Sequence, residues 1–224
     1  MCVLSLQQVS FAYRTRYQTV YAVKEVSCAL EAGALYALVG KSGSGKTTLL
    51  SLLAGLEKPD TGKILFHGSD LRTMDMDVYR RVHASVIYQN FNLFPFMTVL
   101  ENVMYPMILN KKAKEQAQTR AHETLEQLGL GANYWRRMPA MLSGGEQQRV
   151  AIARAIANDA KLILADEPTG NLDTENTRNI VALLKEMAHE HGCTVVVVTH
   201  DEDVANEADY VYRMDSGRLV VDEK

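Results

Sequence analysis

Residues 34–54 read Ala34-Leu35-Tyr36-Ala37-Leu38-Val39-Gly40-Lys41-Ser42-Gly43-Ser44-Gly45-Lys46-Thr47-Thr48-Leu49-Leu50-Ser51-Leu52-Leu53-Ala54. The run before Gly40 is apolar and of strand length, and Thr47 to Ala54 has a helix-like pattern. Between them, Gly40 to Thr47 fits G-x-x-x-x-G-K-[ST] at every fixed position. Strand, glycine-rich loop and helix in that order make a phosphate cradle. The glycines let the backbone wrap around phosphate oxygens, and the amides point inward at a helix start. Lys46 brings positive charge to the terminal phosphates, and Thr47 offers a hydroxyl to magnesium. A chance match in a chain of this length is on the order of one per cent. The loop predicts binding of a nucleoside triphosphate and, by itself, no particular reaction.

Outward from this loop, three further apolar runs appear at Ser85 to Tyr88, Leu162 to Ala165 and Thr194 to Val198. Helix-like segments separate them, which predicts parallel strands buried on both faces. The first thirty residues alternate apolar and polar positions and predict short strands with one solvated face. Tyr210 to Met214 and Arg218 to Val221 flank the turn Asp215-Ser216-Gly217 and read as two more strands. The middle differs. Lys111 to Leu128 is rich in Ala, Glu, Gln and Lys, with an apolar row at Ala113, Ala117, Ala121, Leu125 and Leu128. We read 1–224 as a single domain in which a helical subdomain, 90–158, is inserted into an α/β core formed by 1–89 and 159–224.

Composition bounds the function. The 224 residues are 47% hydrophobic and 23% charged, enough for a substantial core. Lys plus Arg number 24 against 27 Asp plus Glu, a net charge of −3, so no nucleic-acid partner is expected. No run approaches the roughly 20 apolar residues of a membrane span. The N-terminal MCVLSLQQVSFAY lacks a basic start before a continuous apolar segment, so no signal peptide is expected. Cys2, Cys28 and Cys193 lack metal-ligand spacing and read as free thiols, the latter two buried in strand sequence, which fits a reducing cytoplasm. Met74, Met76, Met138 and Met141 lack ligand partners and read as packing residues.

A second anion-binding helix start follows at Leu142-Ser143-Gly144-Gly145-Glu146-Gln147-Gln148-Arg149, where Ser143 can cap the helix and two glycines admit close backbone approach. With this stretch and the phosphate loop, the chain resembles the ATP-binding-cassette (ABC) ATPases, in which LSGGQ is the signature motif. The resemblance extends along nearly the whole chain. Leu162 to Glu167 looks like the family's Walker B strand, Asn171-Leu172-Asp173 its D-loop, Gln89 its Q-loop glutamine and His200 its switch histidine. It implies an α/β fold: a P-loop NTPase (RecA-like) core with an N-terminal antiparallel β-subdomain and an inserted helical subdomain.

The resemblance also implies roles. Gly40, Lys41, Ser42, Gly43, Ser44, Gly45, Lys46, Thr47 and Thr48 would hold ATP, and Thr47, Gln89 and Asp166 would serve Mg2+. Glu167 would polarise the attacking water, with Lys46, Gln89 and His200 as further catalytic groups. Tyr13, in Phe11-Ala12-Tyr13, would stack on adenine, although Tyr17 and Tyr21 lie nearby and a tyrosine here can instead pack on a sheet. Ser143, Gly144, Gly145 and Gln147 belong to the nucleotide-binding set of the opposite copy, because the family closes two copies over two ATP molecules. Asp173 would communicate between those sites.

The expected partners are therefore a second copy and integral-membrane permease subunits, with the chain peripheral on the cytoplasmic face of the membrane. Gln89 to Pro95 and Pro168 to Asp173 look most like the ATPases of lipoprotein release, macrolide and peptide efflux, and cell division. The expected work is ATP-driven export of a lipoprotein, peptide or drug; the alternative is force transmission in cell division or cell-wall remodelling. Phe91, Leu93, Phe94, Phe96 and Met97 are expected to line a groove for a permease coupling helix, or else to pack internally.

Overall fold

The computed structural model describes residues 2–222. Its strands form two sheets. β1 (Cys2–Arg14), β2 (Thr19–Glu31), β4 (Thr61–Phe66) and β5 (Ser69–Asp70) form an antiparallel sheet ordered β2-β1-β4-β5. The second sheet contains β3 (Ala34–Val39), β6 (Ala84–Ile87), β7 (Leu162–Asp166), β8 (Thr194–Val198), β9 (Tyr210–Asp215) and β10 (Arg218–Asp222), ordered β10-β9-β3-β8-β7-β6. All its pairings are parallel except β9 with β10.

The expected short N-terminal strands are in fact two strands of 13 residues each. Their register shifts at several points, and Gln8 and Glu25 adopt left-handed φ of 51° and 50°. Such bulges reset the inward-facing phase of a strand, so one long strand mimics several short ones. The strand β4 was not foreseen. It buries only Ile64 and Phe66, too few alternations to register as a pattern.

The helices are α1 (Lys46–Leu53), α2 (Met76–Val78, running into a π-helical turn at Tyr79–His83), α3 (Val99–Leu109), α4 (Lys114–Gln127), α5 (Gly144–Ala157), α6 (Thr174–His189) and α7 (Glu202–Asn206). Capping boxes start two of them: Thr98 with Glu101 begins α3, and Ser143 with Glu146 begins α5. The α4 row holds at Ala117, Ala121 and Leu125, all fully buried. Ala113 departs from it: it is the exposed N-cap of α4.

Alternate side chains of the parallel strands feed two cores. Leu35, Ala37, Ile163, Ala165, Val195 and Val197 pack with α3 to α6 on one face. Tyr36, Leu38, Leu162, Leu164, Val196 and Val198 pack with α1 and the antiparallel sheet on the other. Each fully buried Leu, Val or Ile here gains about 1.5–3 kcal/mol over exposure, which explains why the strands read as continuous apolar runs. No helix among the described residues is long and apolar enough to cross a membrane. The carboxyl ends of β3, β7 and β8 lie side by side, the position at which α/β sheets bind ligands.

Candidate nucleotide site

The loop 40–45 leaves β3 and enters α1 with Gly45 as its N-cap at φ 105°. A side chain at Gly45 would overlap the Ala22 carbonyl oxygen of β2, and one at Gly40 would overlap the Met214 carbonyl oxygen of β9. The loop is wedged between these strands, and the Gly217 amide donates to the Ser44 carbonyl at 3.0 Å. Both fixed glycines of the motif therefore have a steric cause in this fold. Lys46 is buried at 8% exposure, and its Nζ donates to the carbonyls of Gly40 (2.7 Å) and Lys41 (3.0 Å), which centres an ammonium in the loop.

Opposite the loop, β7 ends in Asp166 and Glu167. The Thr47 hydroxyl donates to Asp166 Oδ1 at 3.4 Å. Burial pushes the Asp166 carboxyl above its ordinary range, helped by neighbouring Glu167 and opposed by Thr47 and Lys46. Glu167 holds a left-handed φ of 47°, a conformation that costs a non-glycine residue about 1–3 kcal/mol. A backbone bond from its amide to the Val198 carbonyl (2.9 Å) helps hold the turn. The result aims the carboxylate between two side chains: Gln89 Nε2 donates to Oε2 at 3.1 Å, and His200 Nδ1 lies 3.2 Å from Oε1. Tyr13 stands edge-on against Phe11 and its hydroxyl lies 3.3 Å from Thr48 Oγ1, with nearly half the residue exposed.

These groups share one cleft of about 640 Å³. Tyr13, Gly40, Ser42, Gly43, Gly45, Lys46, Thr47, Thr48, Gln89, Asp166, Glu167 and His200 all line it. Lys41 and Ser44 do not line it. The Lys41 side chain is exposed, and Ser44 is buried; they shape the loop through their backbone. Val20, Tyr21, Ala22 and Lys24 of β2, and Ser216 and Gly217 of the β9–β10 turn, also line the cleft and were missed. Tyr21 had a signal, as an aromatic neighbour of Tyr13. The turn Asp215-Ser216-Gly217 was visible as a turn but not as a wall of the site.

Ser143, Gly144, Gly145, Gln147 and Asp173 lie outside the cleft of their own chain. Ser143 Oγ accepts from the Glu146 amide at 3.3 Å, and Gln147 Nε2 donates to the Leu142 carbonyl at 3.2 Å. Asp173 caps α6 by accepting from the Asn176 amide at 2.8 Å. Among the described residues no cluster of three or more His, Cys, Asp or Glu forms a metal cage. Thr47 and Asp166 are a pair of hard oxygen donors of the kind that would suit magnesium.

A separate groove of about 320 Å³ is lined by residues that include Arg80, Arg81, Tyr88, Phe94, Tyr105, Leu109 and Arg154. Of the five apolar residues expected in a groove, only Phe94 lines this one. Leu93 packs on the core, and Phe96 projects outward at 91% exposure. Met138 and Met141 are exposed and stand outside the two cores, whereas Met74 and Met76 pack against one of them.

The family profile described as "ABC transporter" matches residues 23–170. The macrolide export ATP-binding/permease protein MacB of Rhodopirellula baltica is 45% identical over 215 residues, covering 94% of this chain but only 31% of MacB. The lipoprotein-releasing system ATP-binding protein LolD of Chromohalobacter salexigens is 40% identical, covering 98% of this chain and 94% of LolD. The dimeric structure of MJ0796, a bacterial ABC transporter cassette, superposes with TM-score 0.94 at 37% identity, over 99% of this chain and 98% of that one. A second dimeric structure of MJ0796, in a post-hydrolysis state bound to ADP and Pi, aligns with the same TM-score. Phosphate loop, paired carboxylates, signature helix and these similarities agree: the chain belongs to the ABC transporter family and is an ATP-binding cassette that hydrolyses ATP.

Proposed function

We propose that two copies of the chain close over two ATP molecules, each held by the phosphate loop of one copy and the Ser143–Gly145 helix start of the other. One observation carries this reading. Phosphate cradle, lysine, carboxylates, Gln89 and His200 share a cleft, while the second anion-binding helix start lies outside it. A two-fold arrangement gives each such surface its complement twice over.

In the closed site the Glu167 carboxylate takes the proton from the attacking water. That water's oxygen bonds to the γ-phosphorus as the bond to the bridging oxygen of ADP breaks. Such general-base help is worth about 10²–10⁴-fold in rate. Gln89 and His200 fix the carboxylate's direction through its two oxygens. Lys46 and the loop amides stabilise charge on the transferring phosphoryl oxygens. Thr47 and Asp166 would hold magnesium, which neutralises phosphate charge when bound. The face of Tyr13 stacks on adenine.

The work is delivered to an integral-membrane permease on the inner face of the cell membrane, whose coupling helix sits in the groove between Tyr88 and Leu109. Similarity to LolD and MacB supports a lipoprotein, peptide or drug as the cargo. Ser143→Arg tests the shared site. The variant retains ATP binding by the isolated chain and loses steady-state turnover at least tenfold. Wild-type turnover by Ser143→Arg, independent of protein concentration, would remove the shared site.

A further inference from the structure

The groove that would seat the permease is charged with one sign. Its apolar surface includes Leu56, Phe94, Tyr105 and Leu109, and its charged side chains are Arg80, Arg81 and Arg154. Among the described residues no Asp or Glu lines it. Arg80 is satisfied inside the fold, by the Asp77 carboxylate and by the Gly55 carbonyl at 2.8 Å. The other two arginines are not. Arg154 donates to the backbone carbonyls of Asn92 (2.7 Å) and Phe91 (2.9 Å), and its guanidinium lies 5.7 Å from the centre of the Phe94 ring. Burial lowers the Arg154 pKa from the ordinary guanidinium value, opposed by Tyr88 and by no carboxylate. The Arg81 side chain makes no hydrogen bond or ion pair among the described residues, and its Nε is buried without a partner. The two cations are neighbours. Asn158 lies one turn beyond Arg154 at the end of α5, and its Nδ2 donates to the Arg81 carbonyl at 3.0 Å.

Buried guanidinium groups are normally paired, because their lost hydration is otherwise uncompensated. Laying an apolar helix over this groove strips the remaining water from Arg81 and Arg154. A counter-charge in the covering surface offsets that loss. We propose that the groove is built for a permease helix that carries one carboxylate side chain among its apolar anchors, and that this carboxylate pairs with Arg154 and Arg81. This rests on the permease-docking reading above and adds the chemistry by which the partner is chosen. A guanidinium fork takes a carboxylate through two parallel bonds, so the pair also fixes the register of the helix along the groove. A helix with a lysine or a neutral residue at that place leaves both arginines desolvated and unpaired, and is rejected.

The test uses the purified chain and a short stapled amphipathic helix with leucines along one face and a single Glu among them. Matched peptides carry Gln or Lys at that place, and binding is followed by the fluorescence anisotropy of a dye on the peptide. Wild type is expected to bind the Glu peptide about 10-fold more tightly than the Gln peptide and the Lys peptide most weakly, with the Glu preference falling as salt rises. Arg81→Met, which breaks no bond of the fold, should cut that preference to about threefold or less, and Arg81→Glu should turn it toward the Lys peptide. Arg154→Met should remove it as well; because that change also frees the Phe91 and Asn92 carbonyls, the two Arg81 variants decide the matter should it melt early. Equal binding of the three peptides by wild type, or an unchanged Glu preference in Arg81→Met, would overturn the pairing and leave the groove as a helix seat. Binding of none of the peptides, or binding that survives Tyr105→Glu, would instead remove the docking reading itself. Vesicles of phosphatidylglycerol that bind wild type but not Arg81→Met, with no preference among the peptides, would overturn the pairing in favour of a lipid headgroup.

Discussion

Two glycines of the phosphate loop, Gly43 and Gly45, both have left-handed φ, at 75° and 105°, yet they predict different outcomes on substitution by alanine. At either position an L-residue pays about 1–2 kcal/mol for the backbone conformation. Gly43 opens onto space: nothing stands within 4 Å of a Cβ built there. Gly45 does not. Its Cβ overlaps the Ala22 carbonyl oxygen, approaches Met214 Cε to 2.9 Å and lies 3.2 Å from the Ala22 carbonyl carbon. The methionine end can move, but the Ala22 backbone belongs to β2, which is paired with β1 across Tyr21 and Val23. Overpacking against backbone adds about 1–3 kcal/mol. Gly45→Ala is therefore expected to lose about 2–5 kcal/mol, and Gly43→Ala about 1–2 kcal/mol.

A domain of this size loses roughly 2–4 °C of melting temperature per kcal/mol, so the two variants separate by several degrees. Function separates further, because relief of the clash must shift the loop amides or Lys46 away from the phosphates. A misplacement of about 1 Å costs on the order of 100-fold where geometry is this demanding. Thermal unfolding and titration with a fluorescent ATP analogue measure both effects. Equal losses in the two variants, or near-wild-type nucleotide binding by Gly45→Ala, would refute the wedge between β2 and β9.

Asp166→Asn should raise the melting temperature of the nucleotide-free protein at neutral pH while abolishing turnover. Burial raises the Asp166 pKa above 3.8, so the folded state holds its proton to higher pH than the unfolded chain. The carboxylate's contribution to stability thus falls as pH rises through that window, and the variant's advantage should grow from pH 4 to pH 7. An Asp166→Asn protein that melts below wild type at pH 7 would contradict the burial argument. In the groove, Tyr105 packs edge-on against Phe94 at 4.8 Å and stays partly exposed. Tyr105→Glu should abolish permease-stimulated ATPase and leave the isolated cassette's rate within about twofold, since partner hot spots concentrate in such aromatics. Unchanged stimulation would move the docking site elsewhere.

The parts of the site legible in sequence are those where one segment carries its own geometry. Residues 40–47 needed only their flanking strand and helix, and Ser143 before two glycines announced a helix start; its capping box with Glu146 emerges in the fold. Glu167, Gln89 and His200 were placed by family resemblance; their convergence on one carboxylate is a product of strand order, since β6, β7 and β8 are neighbours only in the folded sheet. What escaped notice depends on contacts far apart in the chain. Ala22 and Lys24 reach the cleft because β2 crosses over the loop, and Ser216 and Gly217 because β9 pairs with β3. Neither fact leaves a periodic trace. The groove was assigned to Phe91 to Met97 as a block, yet it is built with Arg80, Tyr105 and Arg154 from separate elements, and leaves Phe96 outside.

On the proposed shared site, one chain's signature completes the other chain's ATP site. Sedimentation equilibrium of Glu167→Gln with magnesium and ATP tests it most directly, because Gln keeps the shape of the side chain and removes the proton acceptor. A chain of 25.0 kDa should shift to twice that mass with ATP and return to monomer with ADP. A Glu167→Gln protein that binds ATP yet remains at 25.0 kDa at every concentration would rule out the shared site.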